Sequence, residues 1–196
     1  HGTTECIGRV LLMDGVKSIS RGQTAAAQIR TESDVPVAYG DRFVIRSYSP
    51  VHVIGGGVVL RAHPKRTTTV SEADRALLEA LREGDGAKAV RTVFDAAEFP
   101  VTPADIAYAT GLSLANAAEE LEALAARGAA EKLSGAAGAS VRFASKRTLQ
   151  KLSGAIENAL LRFHSANPAA TGMSKEALRQ ACMPRCAPDA FDAVLA

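Results

Sequence analysis

The sequence predicts a multidomain β + α fold, a small antiparallel β-barrel followed by winged-helix (helix-turn-helix) domains. Three observations carry this expectation. Extended segments separated by turn residues fill the first 66 positions; the hydrophobic period turns helical near Ser71; and a helix, short helix, tight turn, helix, hairpin order follows and then begins again near Lys146. The expected modules are residues 1–66 (barrel), 67–145 (first winged helix) and 146–196 (a second winged helix that stops within its third helix).

The β module reads as short strands. Residues 5–13 carry Ile7, Val10, Leu11 and Leu12, and residues 23–32 form a second extended stretch. Asp14-Gly15 and Tyr39-Gly40-Asp41 supply turn chemistry. Arg42-Phe43-Val44-Ile45-Arg46-Ser47-Tyr48 alternates as a half-buried strand should, and residues 51–60 form an apolar run interrupted by Gly55-Gly56-Gly57. Such a set suits an antiparallel barrel or sandwich.

From Ser71 onward, Leu77, Leu78 and Leu81 make one helical stripe, and Val90, Val93, Phe94 and Ala97 a second. Thr102-Pro103-Ala104-Asp105 combines a capping hydroxyl, a proline with φ preset for the first helical position, and a carboxylate able to return the cap. That short helix should end at Thr110-Gly111. Ser113 caps a longer one to about Arg127-Gly128, with Leu121, Leu124 and Ala125 facing inward. Residues 130–133 and 140–144 flank a loop holding Gly135 and Gly138, the pattern of a β-hairpin wing. In the last module, residues 146–164 place Leu149, Leu152, Ile156, Leu160 and Phe163 on one side of a helix, and Asn167-Pro168 ends it. Ser174 caps a short helix over 175–182, and Pro188 opens a third.

The 196 residues hold 23 Lys+Arg and 21 Asp+Glu, a formal net charge of +2. The distribution is uneven. Residues 1–66 have 9 basic and 5 acidic side chains, a net +4; residues 67–145 have 7 and 12, a net −5; residues 146–196 have 7 and 4, a net +3. At 47% hydrophobic and 22% charged residues the composition is that of an ordinary globular chain, not a disordered one. No apolar run approaches the roughly 20 residues that span a bilayer, and no signal peptide opens the chain. Three cysteines, Cys6, Cys182 and Cys186, form no disulfide framework, which favours a reducing cytoplasmic setting. The opening at His1 and the apolar run over 190–196 read as a piece of a longer protein.

Gly40-Asp41-Arg42-Phe43-Val44-Ile45-Arg46-Ser47-Tyr48-Ser49-Pro50, continued by Ile54-Gly55-Gly56-Gly57-Val58-Val59-Leu60, resembles the third barrel domain of selenocysteine-specific elongation factors, itself similar to the last domain of elongation factor Tu. His1-Gly2-Thr3 with Arg9-Val10 resembles the start of that domain. Leu161-Arg162-Phe163-His164, Asn167-Pro168, Gly172-Met173, Lys175-Glu176 and Leu178-Arg179 resemble the family's second winged helix. The resemblance implies a parent that binds GTP with magnesium, carries selenocysteinyl-tRNA to the ribosome and recognises a hairpin in selenoprotein mRNA. It also implies that the GTPase domain and the second barrel lie outside this chain, since no Gly-x-x-x-x-Gly-Lys-Ser/Thr loop occurs in it. The hairpin-binding winged helices come later in the family than the point where this chain stops. No cofactor is expected in these residues, and no enzyme activity.

Arg46 matches an arginine that contacts the tRNA T-stem in elongation factor Tu, and a guanidinium suits phosphate through bidentate bonds. Tyr48 and His52 follow it in the next loop, and Arg30 in a neighbouring predicted strand could share the surface. Gly55-Gly56-Gly57 leads into more strand rather than a helix N-terminus, so it reads as close backbone approach in a sheet. Cys182-x-x-x-Cys186 lacks further ligands for zinc, and Cys182 reads as a small core residue. The rival reading is a winged-helix DNA-binding transcription regulator with a β-barrel sensor. The helix expected to enter a groove opposes it, carrying Glu119, Glu120 and Glu122 and no Lys or Arg over 115–126.

Overall fold

Two antiparallel hairpins open the chain, in a computed structural model that describes residues 1–64, 66–67, 69–133 and 140–196. β1 (Gly8–Leu12) pairs with β2 (Ala27–Thr31), and β3 (Arg42–Arg46) with β4 (Val53–Val58). The helices are α1 (Glu72–Glu83), α2 (Gly86–Asp95), α3 (Pro103–Thr110), α4 (Leu114–Ala126), α5 (Lys146–Ala166), α6 (Lys175–Cys182) and α7 (Pro188–Leu195). A small sheet of β5 (Glu131–Leu133) and β6 (Arg142–Ala144) lies between α4 and α5. The chain divides into two compact units, His1–Thr92 with Tyr108–Leu112, and Val93–Ala107 with Ser113–Ala196.

In the first unit the expected Asp14-Gly15 turn is present, with Asp14 itself at φ +56°. Its carboxylate pairs with Arg75 at 3.0 Å and accepts from the Val70 N–H, so the turn after β1 is tied to the start of α1. Arg61 bonds Asp74 at 3.1 Å, and the Tyr39 hydroxyl donates to the Leu81 carbonyl at 2.6 Å. Ser71 accepts from the Asp74 N–H as N-cap of α1, and Gly84 closes that helix in the left-handed region. Leu77, Ala80, Leu81, Ala89 and Val90 are buried here. The strands contribute less to the interior. Gln28 of β2 is buried, as is Met13, one residue past β1.

The glycines of β4 have a steric cause. A Cβ on Gly56 would lie 2.5 Å from the Phe43 carbonyl oxygen, and one on Gly57 would lie 2.7 Å from the Phe43 ring. The strands therefore approach closely only because no side chain stands there.

The second unit holds the wing. Thr102 and Asp105 form the expected reciprocal cap: the Thr102 hydroxyl oxygen accepts from the Asp105 N–H at 3.2 Å, and Asp105 accepts from the Thr102 N–H at 2.8 Å. Ser113 caps α4, which buries Ala117, Leu121 and Leu124. β5 and β6 pair antiparallel, and Val101 bridges Phe143 to extend the sheet by one segment. The wing loop with Gly135 and Gly138 lies outside the described residues. The α2 stripe is shorter than expected: the helix stops at Asp95, and Ala97 lies beyond it, its N–H closing a tight turn on the Phe94 carbonyl.

Helices α5 to α7 close on a cluster of Leu152, Ala159, Leu178, Met183, Cys186, Ala190 and Phe191, with Phe99 packed against it. The cysteine expectation needs correcting. Cys186 is the buried one, whereas Cys182 is half-buried at the edge of the cluster, its thiol donating to the Leu178 carbonyl as a helical i−4 contact. Burial pushes both thiols above their ordinary pKa, so they stay protonated at neutral pH.

Arg142 on β6 reaches from the wing to α7. Its guanidinium, 11% exposed, donates to the Pro100 carbonyl at 3.2 Å and to Asp189 at 2.5 Å. That bond holds the Asp189 carboxyl below its ordinary value of 3.8. Within the same unit Thr148 donates to the Ala97 carbonyl, and Arg185 pairs with Glu98. On α6, Arg179 and Gln180 donate to Glu176 and hold its carboxyl down to about 2.

Two outcomes are expected. Thr102→Ala removes one half of a reciprocal cap and lowers stability by about 1–2 kcal/mol in denaturant melts. A carboxyl whose pKa falls on folding stabilises fully above its unfolded value and loses that contribution as pH drops through the folded one. Melting temperature should therefore fall as pH goes below about 4, the ordinary range of Asp189. Asp189→Asn should melt lower at pH 7 and show a shallower acid limb in the same scan.

Candidate nucleic-acid interface

β3 alternates. Phe43 and Ile45 are half-buried, while Arg42, Val44 and Arg46 lie on the exposed face. Opposite them, Arg42 faces Val58, Val44 faces Gly56 and Ile45 faces Gly55, with a register shift between Ile45 and Arg46 that sets Arg46 opposite Val53. The shift sits where the strand ends and the loop begins, a usual place for a bulge to re-aim a side chain. Val44, 60% exposed, thus stands between two arginines on a face flattened by Gly56.

The 47–52 loop follows. The Ser47 hydroxyl donates to the Pro50 carbonyl and lies 2.8 Å from His52 Nδ1, while the Ser47 N–H bonds the His52 carbonyl at 2.9 Å. These bonds bring the ends of the loop together and fix the imidazole beside it. Tyr48, 84% exposed, has its ring in solvent. Arg46, Tyr48 and His52 are accordingly brought together at one end of the β3–β4 hairpin.

Arg30 belongs to the other hairpin. β2 pairs with β1 and not with β3, so strand pairing does not bring Arg30 beside Arg46. Its Nε donates to the buried Gln28 at 3.0 Å, which orients the guanidinium along its own strand. The register sets Arg9 directly opposite Arg30. Like charges at facing positions oppose sheet formation, and an anion between them would relieve the repulsion. Sequence reasoning did not single out Arg9, because its partnership exists only in the register.

Arg46 is not free. Its Nη1 donates to Glu5 Oε1 at 2.9 Å, across 41 residues of sequence. Both partners are largely exposed, 56% and 83%, so the pair is weak and exchangeable. No local pattern could have announced that contact.

Helix α4 presents the opposite sign. Glu119 and Glu122 are exposed, Glu120 is half-buried, and Lys132 of the wing is engaged by Glu122 at 2.5 Å. Phosphate would be repelled from this face.

Among the described residues no group of three or more His, Cys, Asp or Glu could hold a metal ion. A nucleoside triphosphate with magnesium does not fit the glycine run either: Gly55-Gly56-Gly57 is paired strand packed against Phe43, with no helix N-terminus behind it. No helix among the described residues is long and apolar enough to cross a membrane.

A β-barrel domain followed by a winged-helix domain is the class of protein these elements define. The comparisons with known proteins narrow it. Residues 1–66 match the family model "Selenocysteine-specific elongation factor, beta-barrel domain", and residues 158–196 match "Elongation factor SelB, winged helix". A selenocysteine-specific elongation factor from Desulfomicrobium baculatum is 33% identical over 88 residues, which cover 41% of this chain and 14% of that relative. Two domains of the selenocysteine-specific elongation factor family therefore lie in this chain, the barrel first and the winged helix after it.

Proposed function

We propose that this chain supplies the tRNA-facing barrel and the winged-helix spacers of a cytoplasmic factor that delivers selenocysteinyl-tRNA to the ribosome. In this reading, GTP and magnesium are handled by a domain outside these residues, and the hairpin of selenoprotein mRNA is read by further winged helices. The modules are 1–66, 67–145 and 146–196. The reading is supported above all by the occurrence of the family's barrel and winged helix in one chain, with Arg46, Tyr48 and His52 grouped at the exposed end of the barrel's β3–β4 hairpin.

Arg46 docks a tRNA phosphate by exchanging the Glu5 carboxylate for a phosphate oxygen, a bidentate contact that positions the RNA without reading its sequence. Tyr48 offers its exposed ring to ribose or a base edge, and His52, held by Ser47, supplies a neighbouring polar edge. Arg30, with Arg9 opposite, adds a second anion contact on the β1–β2 hairpin. DNA reading by the first winged helix is disfavoured by the acidic face of α4.

Arg46→Ala should weaken tRNA binding by this chain and reduce the salt dependence of its affinity by about one ion. Glu5→Gln should act the other way and tighten binding at low salt, because it removes the carboxylate that competes for the same guanidinium. Titrations at two salt concentrations check both; equal affinities for wild type and Arg46→Ala would remove Arg46 from the interface.

A further inference from the structure

The seven cations of residues 146–196 are sorted by the fold. Lys175 pairs with Asp192 at 2.8 Å, Arg179 with Glu176 at 2.6 Å, and Arg185 with Glu98 at 2.9 Å. The other four, Lys146, Arg147, Lys151 and Arg162, all belong to α5, are exposed, and have no hydrogen bond or ion pair among the described residues. From the sequence these cations are spread over several elements, which suits a solvated face and leaves an auxiliary RNA or ribosome contact open. The structure instead neutralises those outside α5 and leaves those on it uncompensated.

Helical geometry aligns three of the four. At 3.6 residues per turn, Arg147, Lys151 and Arg162 project within about 60° of one another, with the polar Asn158 between them. The stripe from Arg147 to Arg162 is about 22 Å long at the usual rise per residue. The buried Thr148, Leu152 and Ala159 occupy a different face, which α6 and α7 cover. Glu157 is the single acid in the helix and projects about 80° or more away from each of the three cations.

We propose that this α5 stripe is a binding surface for the phosphate backbone of a structured RNA, separate from the barrel site and indifferent to sequence. Two cations a turn apart and a third about 16 Å further along can reach separate phosphates of one backbone, and release of their counterions supplies the affinity. The stripe carries no aromatic anchor of the kind that dominates protein–protein interfaces. It also lacks the open apolar face that an interfacial membrane helix needs, because that face of α5 is already packed in the core. The surface stands independently of the Arg46 reading: either could fail without the other.

The test uses the full 196-residue chain and a plain RNA duplex of about 20 base pairs with no aminoacyl end. Arg147→Gln/Lys151→Gln/Arg162→Gln alters exposed positions only, and circular dichroism should show unchanged helix content. Its duplex affinity at low salt should fall about ten-fold or more, and the slope of log affinity against log salt should flatten by two to three ions, roughly 0.9 per lost contact. Lys132→Gln/Lys175→Gln/Arg185→Gln removes the same formal charge from cations that already have carboxylate partners, and should lose far less. Unchanged binding by the α5 variant overturns the proposal. Equal losses from the two triple variants overturn it as well, since net charge rather than the stripe would then set the affinity.

Discussion

The Arg142 guanidinium is the joint on which the second unit depends. It is planar, permanently charged and nearly excluded from solvent, so each of its donors must find an acceptor. The Pro100 carbonyl takes one donor and Asp189 another, the first from the segment leading into α3 and the second from the first turn of α7. One side chain thereby fixes the wing strand, the approach to the short helix and the last helix against one another. Phe99, Thr148 and the Arg185–Glu98 pair repeat the connection around it. Residues 93–107 and 113–145 pack in this way with residues 146–196 in the second unit. A hydrophobic interface alone would tolerate sliding; a forked, charge-assisted contact specifies direction and register.

Much of this was legible locally. The caps at Ser71, Ser113 and Ser174 and the reciprocal cap at Thr102 and Asp105 involve residues three apart, so their chemistry is written within one helical turn. The close approach over Gly56 and Gly57 was signalled by the glycines themselves. Arg46, Tyr48 and His52 were found together because a single hairpin loop carries them. What escaped was long-range. Arg46 with Glu5, Arg142 with Asp189, and Arg9 facing Arg30 are separated by 41, 47 and 21 positions, and only the folded register makes neighbours of them. The same reason hid the sorting of cations, since pairing Lys175 and Arg185 required knowing what α7 and the segment before α3 bring near them. Cys182 reads as a small core residue in the sequence and packs at the edge of the cluster, while Cys186, in the turn after α6, is the buried one.

Charge distribution connects the fold to its partners. The acidic segment places Glu119, Glu120 and Glu122 on α4, where the wing lysine offsets one of them. In the first segment Arg9, Arg30, Arg42 and Arg46 lie on the strands. The balance of +2 for the chain conceals two surfaces of opposite preference.

The Glu5–Arg46 pair sets a threshold. A guanidinium already facing a carboxylate has little excess field to offer a stray polyanion at a distance. Displacing Glu5 also leaves a negative charge beside the incoming phosphate. With both partners exposed that cost is small, and a partner that gains from other points of the surface at the same time meets it most readily. A lone phosphate, a short oligonucleotide or a misplaced strand touches one point and does not. In the proposed tRNA reading, the ion pair therefore favours engagement at several points at once over contact at this one.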